Sequence, residues 1–490
     1  MNNEIIKDKC SITRWTSFIM LVFFVKFLFF CIDPLPMFYL GDSHSYLTTA
    51  STGWIPLDRS FVYGFVIRLV AVSAHSLTSL IAFQVFTSGL NAILLAYVLQ
   101  KFFSVRPTIA FCSGFLCALE PLQLMYERYV LTEALTLFSL VMYIILILHY
   151  LKWPRLSLLA ALQFVGTVLI SFRLSFLPTV IINAILLPLL AIPVFVTRTY
   201  PVREFSIAAA VKHMLSSRQL MRVVALHLVL SLGLTYFFHL GYRHVNGKLS
   251  HKPPAYQYQT GNFLLAYWSP IVKPIDFPRS DLTSQVFGNL KYDLQDRHKR
   301  DKNHWAPGGL IVHINEAIPD TLEADRIAKE TALNAVKRDP LGLVRLGISG
   351  FLDYWNLDIL KCNMLGDRGE NPLPPEMLEM LSNKFSLAAE RLPFLQTFTN
   401  RYFLYAWPWY LFLICSPIYG VIAFIGCARE NRRYFFVVLL TSLIIMGQAC
   451  VLIEGPTVRY IHTLGWLSFL LIAPAFEQLF IKFKKTGFGK

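Results

Sequence analysis

The sequence predicts an all-α integral membrane protein of about ten spans, carrying one large, mainly helical extracytoplasmic insertion. Three observations carry that prediction. Apolar residues make up 55% of the chain and charged residues only 15%. Uncharged runs long enough to cross hydrocarbon recur along it. Lysine and arginine gather in the loops of one side. The spans read as approximately 15–32, 78–100, 107–125, 130–150, 156–172, 174–197, 223–242, 403–427, 434–453 and 460–480. The first is long enough to remain as a helix and lacks a small-residue cleavage site, so it reads as a signal anchor.

Basic loops resist translocation and mark the cytoplasmic face. Lys7, Lys9 and Arg14 precede the first span, Lys101 and Arg106 follow the second, and Lys152 and Arg155 follow the fourth. Arg198, Arg203, Lys212, Arg218 and Arg222 fill the loop after the sixth, Arg429, Arg432 and Arg433 follow the eighth, and Lys482, Lys484, Lys485 and Lys490 close the chain. All fall on one side when both termini are cytoplasmic. The net charge of +15 then reads as topology and attraction to anionic membrane lipids, and nucleic acid is not expected as a partner.

This topology divides the chain into a seven-span module over 1–242, with a first extracytoplasmic loop at 33–77, an insertion over 243–402, and a three-span module over 403–490. Within the insertion, Thr321 to Val336 has a helical period with Leu322, Ala328, Leu333 and Val336 near one face, and Asp339-Pro340 stops it. Leu341 to Trp355 is amphipathic, with only Arg345 and Asp353 charged, which suits a helix lying on the membrane. Tyr256, Tyr258 and Tyr267-Trp268 suit either stacking on sugar rings or the headgroup layer. Cys362 is alone in the insertion, so no disulfide closes within it, and no Asn-x-Ser/Thr acceptor is present there. A bacterial inner membrane fits that pattern. Gly-rich phosphate loops, His-Glu-x-x-His and paired Cys-x-x-Cys are absent, which removes support for nucleotide hydrolysis and redox cofactors.

Ionisable residues gather at the ends of spans on the extracytoplasmic side. They are Asp33, Asp42, His44, Asp58 and Arg59 in the first loop, and Glu120, Glu127, Arg128 and Glu133 between the third and fourth spans. Arg173 lies in the next hairpin, with Glu454 and Arg459 in the last turn. Charge near hydrocarbon is costly, so this recurrence points to a shared polar cavity. Plainer roles stand beside that one: Asp42 and Glu133 as helix caps, Arg173 and Arg459 snorkelling to headgroups, His44 as a surface group.

The order of these residues resembles a GT-C superfamily membrane glycosyltransferase, of the kind related to protein O-mannosyltransferases and the lipid A aminoarabinose transferase. The resemblance rests on Gly41-Asp42-Ser43-His44-Ser45-Tyr46, Asp58-Arg59-Ser60-Phe61-Val62-Tyr63, Leu131-Thr132-Glu133-Ala134-Leu135, Phe172-Arg173 before Pro178, and Val458-Arg459-Tyr460. Arg59-Ser60-Phe61 replaces the family's usual Arg-Pro-Pro, and Asp42-Ser43 replaces a frequent pair of acids. The resemblance implies a polyprenyl-phosphate sugar donor, an extracytoplasmic acceptor and an inverting hexosyl or pentosyl transfer. On that reading Asp42 and Glu133 are the catalytic carboxylates, and Arg59, Tyr63, Arg128, Arg173, Arg459, His44 and Tyr46 bind substrate or phosphate.

The residue types suit this chemistry in their own right. A carboxylate such as Asp42 can take the acceptor's proton during attack, and guanidiniums can meet the charge that develops on a departing lipid phosphate. Asp42 and Glu133 are the pair to hold a divalent ion, if one is used. A lipid-linked sugar transporter or flippase is the rival from another class, and would need charges at mid-span and broken helices in mirrored halves. An O-antigen polymerase or ligase would also use lipid-linked sugars on this side of the membrane. An inert assembly subunit would resemble an enzyme without catalysing transfer.

Overall fold

The structure, a computed structural model, describes residues 2–39, 41–199, 207–368, 373–389, 397–427 and 431–485. These residues are helical throughout, the one strand-like feature among them being an isolated bridge between Met37 and Tyr129. The first part of the chain contains α1 (Asn2–Ile32), α2 (Asp42–Thr52), α3 (Phe61–Ile67), α4 (Leu77–Phe103), α5 (Pro107–Ala118), α6 (Pro121–Tyr126), α7 (Glu133–Lys152), α8 (Leu156–Phe172), α9 (Leu177–Leu190), α10 (Ile192–Thr199), α11 (Ile207–Ser216) and α12 (Arg218–Ser250). The insertion follows with α13 (Thr260–Tyr267), α14 (Thr283–Phe287), α15 (Arg300–Trp305), α16 (Leu310–Ala317), α17 (Thr321–Arg338), α18 (Pro340–Asp353), α19 (Leu357–Asp367) and α20 (Pro375–Phe385). The described chain closes with α21 (Phe398–Tyr405), α22 (Trp407–Ile414), α23 (Ser416–Gly426), α24 (Arg432–Val451) and α25 (Leu464–Lys485).

This is an all-helical membrane protein, but ten spans is too many. Among the described residues six helices are long and apolar enough to cross a membrane, and a seventh span results if α22 and α23, bent by 53°, count as one. The shortfall lies in α5, α8 and the apolar part of α25, Leu464–Gln478. At ~1.5 Å per residue the 12-residue α5 reaches about 18 Å, against about 30 Å of hydrocarbon. The apolar run at 107–125 looks continuous in sequence. It breaks at Glu120, whose carboxylate accepts from the Gln123 backbone N–H at 2.7 Å and starts α6 under Pro121.

The helix ends expected on the cytoplasmic side do lie together in pairs. Lys101 and Lys152 both approach the Trp153 ring, and Arg106 pairs with Glu477 at 2.6 Å. Arg203, Arg429 and Lys490 of the expected basic clusters lie outside the described residues.

Two apolar cores organise the molecule. The larger joins the membrane helices with Tyr354, Leu360 and Met364 from the end of the insertion. The smaller belongs to the insertion, around Leu265, Trp268, Leu310, Ile314 and Ile327. Helix α17 starts on Asp320, whose carboxylate accepts from Leu322 and Glu323 N–H groups, and it buries Ala324, Ile327, Ala328, Thr331, Ala332 and Ala335. Of the expected stripe, Ala328 is buried and Val336 packs against that core, whereas Leu333 is exposed and the small Ala332 and Ala335 are buried in its place. Helix α18 turns Gly350 onto the Cys450 carbonyl of α24, where an added Cβ would sit 2.6 Å from that oxygen. Its other side exposes Leu341, Val344, Ile348, Leu352 and Trp355, the unpartnered apolar stripe that the sequence predicts for an interfacial helix. Gly350→Val is expected to force α18 off α24 and cost about 1–3 kcal/mol, read as a lower thermal midpoint of the purified protein. A midpoint equal to wild type would show that the two helices separate freely.

Candidate active site

The site is assembled from four helix ends. Gly41, in the left-handed region at φ 49°, turns the chain directly into α2, a conformation that costs glycine little. Asp42 is thereby the first residue of α2, yet its side chain caps nothing. One carboxylate oxygen meets Arg59 Nη2 at 2.6 Å and the other meets Arg459 Nη2 at 2.6 Å. Arg59 is supplied by the turn before α3, where Ser60 caps the helix by accepting from Val62 N–H, and it also pairs with Asp58 at 2.9 Å. Arg459 arrives from the short turn Val458–Tyr460, fixed by the Thr457 hydroxyl accepting from its backbone N–H at 3.1 Å.

Glu133 opens α7 and is fully buried. Its Oε1 accepts from Arg459 Nε and lies 3.6 Å from Arg173 Nη1. Arg173, at the α8 end, also donates to the Arg459 carbonyl at 3.4 Å and stacks over Tyr460. Arg459 thus bridges the two carboxylates, its face lying over Tyr39. Two buried polar atoms of this cluster, Arg59 Nη1 and Glu133 Oε2, have no hydrogen-bond partner. Unpaired buried groups are costly, and their coincidence here marks unused binding capacity.

Beside the cluster opens a cavity of about 620 Å³, walled by Arg459, Tyr39 and Tyr460 and by insertion residues including Tyr267, Asp301 and Asp358. The insertion is tied to this wall by His304, which lies 2.6 Å from Glu454. Of the aromatic residues left open between two roles, Tyr267 lines the cavity, while Tyr258 and Trp268 are buried.

Not every expected residue joins the site. Arg128 is a correction: it is fully buried in a separate network, paired with Glu127 at 2.7 Å and donating to the carbonyls of Asp33, Phe29 and Leu124. Those bonds occupy four of its five N–H donors, and the enclosed guanidinium does not line the cavity. Lys26, hidden in the middle of the first span, completes that network by meeting Glu127 at 3.0 Å. Tyr63 is a correction too, since its buried hydroxyl donates to Gln84 at 2.8 Å. Tyr46 is buried, with its ring under Arg59. His44 is half-buried and outside the ion-pair cluster. Glu120 turns to the Trp409 indole at 2.6 Å.

The pair Asp42 and Glu133 does not fit a divalent ion. Arg459 stands between them, and both Asp42 oxygens are engaged by guanidiniums. Among the described residues no group of three or more His, Cys, Asp or Glu gathers in metal-binding proximity. One residue that the sequence reading missed is Asp367, at the end of α19. It is buried at the cavity wall, with Oδ2 accepting from the Thr457 hydroxyl at 2.6 Å. Nothing in the local pattern Gly366-Asp367-Arg368 distinguishes it from an ordinary loop carboxylate.

Comparison with protein families, with curated proteins and with solved structures finds no match to this chain.

Proposed function

We propose that the protein is a membrane glycosyltransferase that moves a sugar from a polyprenyl-phosphate donor to an acceptor glycan, lipid or protein, with inversion. The observation that carries this reading is the meeting of Arg59, Arg173 and Arg459 on two carboxylates, with Arg459 at the wall of a cavity. Guanidiniums bind phosphate oxygens in pairs, and a cavity of this size admits a sugar. The cluster holds the carboxylates Asp42, Asp58 and Glu133 against the same three arginines, so an entering phosphate binds by displacing a carboxylate from its guanidinium. Asp42 is the more accessible of the two bridged carboxylates, and its two oxygens order Arg59 and Arg459 for the donor. The departing lipid phosphate is a stable anion, so cations and not a strong acid are what its departure requires.

The location that fits this chemistry is a bacterial inner membrane, with both termini cytoplasmic and the cavity on the opposite face. The exposed stripe of α18 then rests on the bilayer surface and holds the insertion over the cavity. The test is transfer by purified protein supplied with a panel of polyprenyl-phosphate sugars. Wild type is expected to release polyprenyl phosphate and glycosylated product, and Asp42→Asn to be slower by about 100-fold or more. Equal rates would remove Asp42 from the chemistry, and no product with any donor would return the protein to the transporter class.

A further inference from the structure

The base in this reading has to meet the acceptor inside the cavity, and the carboxylates of the ion-pair cluster are poorly placed for it. Asp42 is held at both oxygens by guanidiniums, and Glu133 is fully buried behind Arg459. Asp367 is buried as well, but it is held differently. It lines the cavity, its Oδ2 is held by a neutral hydroxyl, and it belongs to α19 of the insertion, whereas Asp42 belongs to α2. The same Thr457 hydroxyl that donates to Asp367 accepts from the Arg459 backbone, which fixes the carboxylate against the turn that carries the central arginine.

We infer that Asp367 is the catalytic carboxylate that takes the acceptor's proton, while Asp42 holds Arg59 and Arg459 for the donor phosphate; this rests on the transferase reading. The acceptor hydroxyl oxygen bonds to the anomeric carbon as the bond from that carbon to the phosphate oxygen breaks. The electron pair leaves with polyprenyl phosphate, and the hydroxyl proton passes to Asp367. The cavity between α19 and the last turn is then the acceptor site, and its ligand class is a polyhydroxylated molecule seated against Tyr39, Tyr267 and Tyr460.

Other groups face Asp367. Arg459 favours its charged form and Glu133 opposes it. The hydroxyls of Tyr39, Tyr126, Tyr129 and Tyr354 also lie within its field. Across the cavity stand Asp301, Asp358, Glu454 and His298, while Arg368 beside it donates to Asn400 at 3.2 Å. The balance favours basicity: burial raises the Asp367 carboxyl to about 6, with the Thr457 hydroxyl and Arg459 restraining the rise.

The test is the pH dependence of kcat/KM for the full-length reconstituted protein, measured for wild type, Asp367→Asn, Thr457→Val and Asp42→Asn. Wild-type activity is expected to fall as pH drops through about 6, because the protonated acid cannot accept a proton. Asp367→Asn is expected to lose about 100-fold or more, and its residual rate to lack that acid limb. Thr457→Val keeps the carboxylate but removes the donor that favours its charged form, so the limb moves alkaline by about one unit. Asp42→Asn is slow yet keeps the limb in place. A full rate in Asp367→Asn, a limb unmoved in Thr457→Val, or a limb abolished by Asp42→Asn would each overturn the assignment while leaving the transferase reading intact. An inactive wild type, with every donor, overturns both.

Discussion

Arg459→Gln is expected to be the most damaging single change in the protein, for activity and for stability together. Among the described residues Arg459 is the one that bonds both Asp42 and Glu133, and its side chain is nearly enclosed. Its removal leaves Glu133 fully buried with Arg173 at 3.6 Å as its remaining ion-pair partner. Breaking a buried pair from one side costs about 3–5 kcal/mol, since the surviving charge keeps its desolvation penalty. Loss of a guanidinium that meets developing phosphate charge slows catalysis by about 100-fold to 1,000-fold. A second substitution separates these effects. Arg459→Gln combined with Glu133→Gln removes the stranded charge, so the thermal midpoint recovers in large part while the transfer rate stays low. Recovery of both would make Arg459 a structural residue only.

The second large effect is predicted far from the cavity. Lys26→Met leaves Glu127, wholly buried, with one guanidinium in place of two cations. By the same argument this costs about 3–5 kcal/mol. The network around Arg128 joins α1, α6 and, through the Asp33 carboxylate that accepts from the Thr399 N–H at 3.3 Å, the start of α21. The expected outcome is a sharp drop in folded protein recovered from the membrane, with an unchanged transfer rate per folded molecule. A normal yield accompanied by a lower rate would place Lys26 in the reaction and contradict the structural role.

These two residues also show what could be read from the chain and what could not. The apolar runs foretold the long helices, and charges at the ends of spans foretold that Asp42, Arg59, Glu133, Arg173 and Arg459 would meet, because unpaired charge beside hydrocarbon has few low-energy alternatives. That Arg459 bridges the pair was beyond reach. Its bond to Asp42 spans 417 positions, and no local pattern ranks it above Arg128. Arg128 has the same composition around it as a phosphate ligand, and only its three carbonyl acceptors reveal the structural role. Lys26 sits inside a run that hydropathy reads as an unbroken span, since one lysine barely lowers the average over 21 residues. The count of spans failed for a related reason. Hydropathy measures apolar length along the chain, whereas the break at Glu120 depends on a side-chain cap.

The proposed function requires that the hollow beside Arg459 open away from the cytoplasm and receive a lipid-borne sugar phosphate. Cys362 lines that hollow and is exposed, which makes it a native probe. The direct measurement is its rate of modification by a membrane-impermeant maleimide, followed by peptide mapping, in oriented vesicles. Reaction is predicted from the extracytoplasmic side alone, slowed by polyprenyl-phosphate sugar and unaffected by the uncharged polyprenol. Modification from the cytoplasmic side, or a rate that ignores the phosphate-bearing lipid, would contradict the account.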